Sequence, residues 1–260
     1  MATWNQNPTA RPVAGTARYD ASLDQGLRRY MLSVYNYMTL GLVVTGLAAL
    51  GTLYLAVAQT PADAVAQLGN GTALTAFGAA IYGGPIRWIV MLAPLGFVLA
   101  LSFGVQRMSL STTQLVFWGF AAVMGVSLSS IFLVYTSESI VRIFFITAAA
   151  FGGLSLWGYT TKKDLSGWGS FLVMGLIGII IASLVNLFIA SSALQFAVSV
   201  IGVLVFAGLT AYDTQRIKES YYALDDGTVA GRKAIMGALS LYLNFINMFM
   251  MLLSLFGNRE

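Results

Sequence analysis

Seven stretches of this chain are apolar on nearly every side of a helix and almost free of charge: 32–58, 88–105, 115–135, 143–159, 168–190, 194–212 and 235–256. Each approaches the roughly 20 residues that an α-helix needs to cross ~30 Å of hydrocarbon. A backbone inside lipid must satisfy its own N–H and C=O groups, which leaves helices and closed barrels. Barrel strands alternate polar and apolar residues, and these runs do not. The expected fold class is an all-α integral membrane protein with seven transmembrane helices. Composition leads to the same place, because only 9% of the residues are charged, against about a quarter in a soluble domain. The organisation expected is an N-terminal tail over 1–31, a seven-helix domain over 32–256 and a short C-terminal tail over 257–260. The tail lacks the apolar core of a signal peptide.

Two regions resist this reading. The fourth run is short unless its helix starts near Ser139, which would place Arg142 at its mouth, where a long side chain can snorkel to the headgroups. Between the first two runs, Thr60-Pro61-Ala62-Asp63 has the form of a helix start. The weakly apolar segment 73–82 is too short to span, so it is either an interfacial helix or a re-entrant element. Asn70-Gly71 and Gly83-Gly84-Pro85 supply turns there. Orientation follows from the basic residues: eleven of the 14 fall on the N-terminal side of the seven-span arrangement, and only Arg87, Arg142 and Arg259 fall opposite. The positive-inside rule then puts the N-terminus in the cytoplasm and the C-terminus outside. The basic stretch Arg216, Lys218, Arg232, Lys233 either obeys that rule or docks a partner.

Within the bilayer, helices pack through small residues and shared polar contacts. Ala121, Gly125 and Ser129 make a small-residue stripe on the third span. On the seventh, Ser240, Asn244, Asn247 and Ser254 fall within about 80° of one another at 100° per residue. A polar stripe at membrane depth must face protein or water, so this last helix is expected inside the bundle. The stripe either bonds to neighbouring helices or lines a conduit.

The chemistry is narrowed by exclusion. With no His and no Cys, imidazole bases, thiolate nucleophiles and the usual soft-metal ligands are absent. All four Lys are expected in loops, and none sits in a P-loop. No enzyme activity and no cofactor are expected. The acid closest to a span is Asp213, at the N-terminal-side end of the sixth. It is either an interfacial residue paired with Arg216 three positions on or an ionisable group placed for function.

The run Gly208-Leu209-Thr210-Ala211-Tyr212-Asp213-Thr214-Gln215-Arg216-Ile217 resembles the signature of the Bax inhibitor-1 (transmembrane BAX inhibitor motif) family. Tyr35-Asn36-Tyr37-Met38, the stretch from Arg87 to Pro94, and Leu241-Tyr242-Leu243-Asn244-Phe245-Ile246-Asn247 are similar to its bacterial members. The resemblance covers nearly the whole chain. It implies seven helices with the last one wrapped by the other six, in the bacterial plasma (inner) membrane. It also implies a calcium leak gated by pH through an acidic pair between the sixth and seventh helices.

Asp213 matches the first acid of that pair, but Asn244 stands where calcium-leak members carry the second. Two adjacent carboxylates resist simultaneous ionisation and titrate together; an amide does not titrate, and donates to its neighbour instead. Calcium, which prefers several oxygen ligands, loses a formal charge and meets Asp213 only transiently. Some bacterial members resemble modulators of a membrane-anchored AAA protease, so a non-conducting regulator is the competing expectation. At ~1.5 Å per residue, Asp213 lies about 7 Å from Lys218 and Asn244 about 16 Å from Lys233. The depths do not match. The resemblance pairs Asp213 with Asn244, and Ser240 is the alternative neighbour.

Overall fold

A computed structural model describes residues 14–69 and 71–259. The readings made on residues 1–13, Asn70 and Glu260 lie outside these. Long helices dominate: α1 (Ala14–Ala56), α3 (Ile86–Gly104), α4 (Leu110–Leu128), α5 (Ser137–Thr160), α6 (Ser166–Ile189), α7 (Ser192–Glu219) and α8 (Gly227–Phe256). The very short α2 (Ala76–Gly78) lies between α1 and α3. Seven of these helices are long and apolar enough to cross a membrane. Most are longer than the apolar runs that announce them, because helix geometry continues into polar turns whose side chains find partners. α5 starts six residues before its apolar run: the Thr136 hydroxyl accepts from the Ser139 N–H, and buried Ser139 accepts from the Asn258 N–H. α8 begins at an Asp226 cap, whose carboxylate accepts from the Val229 N–H at 2.7 Å.

The segment between α1 and α3 does not span; its weakly apolar part is helical over 76–83, where α2 passes into a π-helical turn at Ala79–Gly83, and the rest forms no continuous helix. Pro61–Asp63 forms a single 3-10 turn after Thr60. Ala66–Gln67 (β1) then pairs antiparallel with Ala73–Leu74 (β2), with Ala66 opposite Leu74. Gly71 takes the positive φ of 87° that this tight turn requires. Thr75 caps α2, and the backbone turns back onto the end of α1 through the Thr75 N–H to the Ala56 carbonyl, 2.9 Å.

The last helix is the centre of the bundle. α7, α1, α5 and α4 pack directly on α8, whereas α3 packs chiefly on α4 and α6 on α7. Half of the apolar window of α8 is buried, against 11% for α3 and for α6. Four helices therefore do most of the wrapping, and two flank them toward lipid. Outward-facing residues such as Phe103 and Phe188 are more than four-fifths exposed, as lipid contact demands. The small-residue stripe of the third span is architecture: a Cβ at Gly125 would collide with the Thr45 carbonyl of α1, and Ala121 accepts from the Thr45 hydroxyl at 2.8 Å. Tyr242 of α8 closes that junction, bonded to Thr45 at 2.6 Å.

Candidate functional site

Asp213 is the one buried acid among the described residues, 6% exposed. Its position follows from how α7 and α8 run together. Lys233 donates to the Ser220 carbonyl, Gly237 packs on Ile217, Ser240 bonds Asp213, Met251 covers Gly202 and Ser254 bonds Ser199. The antiparallel register is constant over that whole length. It sets Ser240 level with Asp213 and Asn244 one turn deeper. Side chains on a helix tilt toward its N-terminus. The Asp213 carboxylate therefore leans into the bilayer while Asn244 leans back toward the N-terminal face, and the two meet.

Both candidate neighbours of Asp213 are thus real ones. The Ser240 hydroxyl donates to Oδ2 at 2.7 Å and the Asn244 amide to the same oxygen at 2.8 Å. Arg216 reaches Oδ1 at 3.1 Å, with its side chain 58% exposed and its guanidinium near the Tyr212 ring. The ion pair at spacing three and the interhelical cluster coexist. Three donors surround one carboxylate, and short bonds to a buried charge are the stronger kind. A calcium cage needs six to eight oxygens. Among the described residues no three His, Cys, Asp or Glu gather.

The rest of the polar stripe on α8 goes two other ways. Asn247 donates to the Leu243 carbonyl of its own helix at 2.8 Å. Ser254, near the opposite face, meets Ser199 at 3.2 Å and the Gln195 amide at 3.3 Å. Met251 over Gly202 fills the seam between these ends with apolar contact.

Residues around Asp213 whose bonding the sequence did not foretell make this end of α7 a junction for the bundle. Thr214 bonds Ser155 of α5 at 3.0 Å, and Ser155 in turn bonds Tyr35 of α1 at 2.6 Å. Buried Gln215 accepts from the Leu165 N–H and donates to the Lys163 carbonyl, each at 2.8 Å, fastening the α5–α6 turn. In that turn Asp164, held below the usual carboxylate range by the hydroxyl and N–H of Ser166, leads into α6. Lys218 donates to the Tyr159 carbonyl at 2.8 Å, a cation at a helix C-terminus where the dipole favours it. Arg232 likewise donates to the carbonyls of Val105, Gln106 and Met108 beyond the end of α3. The one signal in the sequence was the density of polar residues from Asp213 to Lys218 inside what proves to be continuous helix.

Fold and site together define a multi-pass helical membrane protein with a central last helix and a carboxylate pinned between its final two spans. The sequence profile of the family described as inhibitor of apoptosis-promoting Bax1 matches residues 27–260. The chain is 48% identical over 249 residues to a protein of Caulobacter vibrioides, covering 94% of each. It is 47% identical over 245 residues to one of Rickettsia prowazekii, covering 94% of this chain and 96% of that one. It is also 44% identical over 237 residues to the inner membrane protein YbhL of Escherichia coli, covering 90% of this chain and 94% of that one. The chain belongs to the Bax inhibitor-1 family.

Proposed function

We propose that the protein is a passive, pH-sensitive calcium leak of the bacterial inner membrane, with Asp213 both attracting the cation and latching α7 to α8. The observation that carries this reading is the buried Asp213 carboxylate held by Ser240, Asn244 and Arg216. An intramembrane acid at a helix interface is the usual mark of an ion pathway. A cavity of about 430 Å³, bordered by Tyr30, Ser102, Arg216, Ser220, Lys233 and Ser240, lies beside it. That cavity is the cytoplasmic vestibule, and the apolar α7–α8 seam beyond Asn244 is the closed gate. The N-terminus is cytoplasmic and the C-terminus outside, in keeping with eleven of the 14 basic residues on the N-terminal side. The bilayer is inner-membrane in type, as the Escherichia coli relative's name reads. Proton sensing is weakened because Asn244 puts an amide where a second acid would share a proton, leaving one carboxylate at the contact. The reading involves no catalytic residue and no cofactor; calcium is cargo.

Calcium entry into liposomes containing only the purified chain tests the proposal, with uptake above protein-free liposomes expected and falling in Asp213→Asn. A second reading has its own support. Among the described residues no buried side-chain nitrogen or oxygen lacks a hydrogen-bond partner, so the Asp213 cluster is complete as a fixed brace. On that reading the chain is a non-conducting regulator that contacts a membrane-anchored AAA protease or another membrane protein. Uptake no greater than in empty liposomes would sink the leak and leave this one.

A further inference from the structure

α1 and α5 both pack on α8 but barely touch each other. The gap is a lateral cleft of about 630 Å³, far more apolar than polar. Arg28 and Tyr159 stand at its N-terminal-face end, Leu42 and Phe144 at its deep end, and Phe245 of α8 forms its floor. From Arg28 to Leu42 along α1, and from Tyr159 to Phe144 along α5, is about 21–23 Å at ~1.5 Å per residue. That is the depth of one bilayer leaflet with its headgroup region, given ~40–45 Å for the whole membrane.

The rim is cationic. Arg28 is exposed, and no described carboxylate lies within ion-pair distance of it. Behind Tyr159, Lys218 holds a second positive charge, its ammonium 5.1 Å from the ring centroid. No acidic side chain lines the cleft. An apolar slot one leaflet deep, walled on three sides and headed by cations, matches a lipid with an apolar chain and a negative head. Basic pockets between membrane helices select such heads.

From this geometry we infer that the α1–α5 cleft is a binding site for one anionic phospholipid of the leaflet on the N-terminal face. Its acyl chain lies along Phe151 and Phe245, and its phosphate pairs with Arg28. The occupant would press on the Tyr35–Ser155 bond, whose other end reaches Thr214 beside Asp213. The inference stands whether or not the protein conducts.

Gly152 lines the cleft, and a Cβ there meets nothing within 4 Å. Gly152→Leu therefore extends a side chain into the slot from a position with open space for its Cβ, and Arg28→Gln removes the head contact on an exposed residue. Arg29→Gln, next to the site but not lining it, is the control. The full chain is exchanged into bilayers of phosphatidylglycerol or phosphatidylcholine with the same acyl chains, released, and weighed by native mass spectrometry, with circular dichroism confirming the fold of each variant. One phosphatidylglycerol per chain should be retained about fivefold more than phosphatidylcholine, as one cation near the surface provides. That preference should vanish in Arg28→Gln, persist in Arg29→Gln, and give way to loss of both lipids in Gly152→Leu. Equal retention of the two lipids by the natural chain would mean annular lipid only and overturn the site. Unchanged retention in Gly152→Leu would overturn it too, as would a dimer in place of a lipid adduct.

Discussion

Cutting the contact between Asp213 and Ser240 measures how firmly the last two helices are latched. Both residues are at least half-buried, the bond is 2.7 Å, and Asn244 donates to the same oxygen at 2.8 Å. Hydrogen bonds to a charged group are worth about 1.5–3 kcal/mol, but interhelical bonds in bilayers average about 0.6 and reach about 1.7. A bond to a buried carboxylate belongs at the upper end, so Ser240→Ala should destabilise by about 1.5 kcal/mol. Asp213→Asn keeps the shape and one acceptor oxygen but loses the charge, and should cost about 2 kcal/mol. Arg216 adds under 1 kcal/mol to that, because its side chain is mostly exposed. The double variant should then be less destabilised than the sum by about 1 kcal/mol. Equilibrium unfolding of the four proteins in mixed micelles reads this coupling directly. Flux supplies the second reading: Ser240→Ala keeps the charge on a looser latch and should raise calcium entry, while Asp213→Asn keeps the latch shape without the charge and should lower it. Strict additivity, together with identical flux in all four proteins, would refute the latch.

Three further outcomes are expected. Asn244→Asp replaces a donor with a second carboxylate at the 2.8 Å contact; with the charges roughly 4 Å apart the repulsion is about 4 kcal/mol at an effective dielectric near 20, so calcium entry should climb with pH more steeply than in the natural protein, and superimposable pH profiles would remove the gating role of this contact. Gln215→Ala frees the Lys163 carbonyl and the Leu165 N–H, and trypsin should cut after Lys162 or Lys163 several times faster while the spans stay intact; an unchanged cleavage rate would show that Gln215 does not restrain the turn. A reporter active only in the cytoplasm should work after Met31 or within 220–226 and fail after Glu260, and activity at the C-terminus would reverse the proposed orientation.

The spans were legible because hydrocarbon imposes a length and a polarity on any helix that crosses it. Their ends were not, since hydropathy does not register helical turns such as 137–142, 213–219 and 227–234, which are polar yet capped or bonded. Asp213, Ser240 and Asn244 stood out as residues, but counting depth along each helix left Asp213 and Asn244 a turn or more apart. The count follows Cα positions, whereas the contact is made by side chains leaning in opposite directions. The stripe on α8 was seen as one face, and the structure divides it because Asn247 satisfies itself on Leu243. The partners of Gln215 and Lys218 could not be read from the sequence, for they are main-chain groups of turns and helix ends some fifty residues earlier.

The unbroken register between α7 and α8 also bears on how the protein is built. α7 emerges from the ribosome first, carrying Asp213 with only Arg216 available nearby, and a lone acid in a nascent span disfavours its release into lipid. The donors that neutralise this cost, Ser240 and Asn244, arrive on α8 after the short connection 220–226. The two helices should therefore leave the insertion machinery as a preformed hairpin, with α7 held at the lateral exit until α8 slides alongside it.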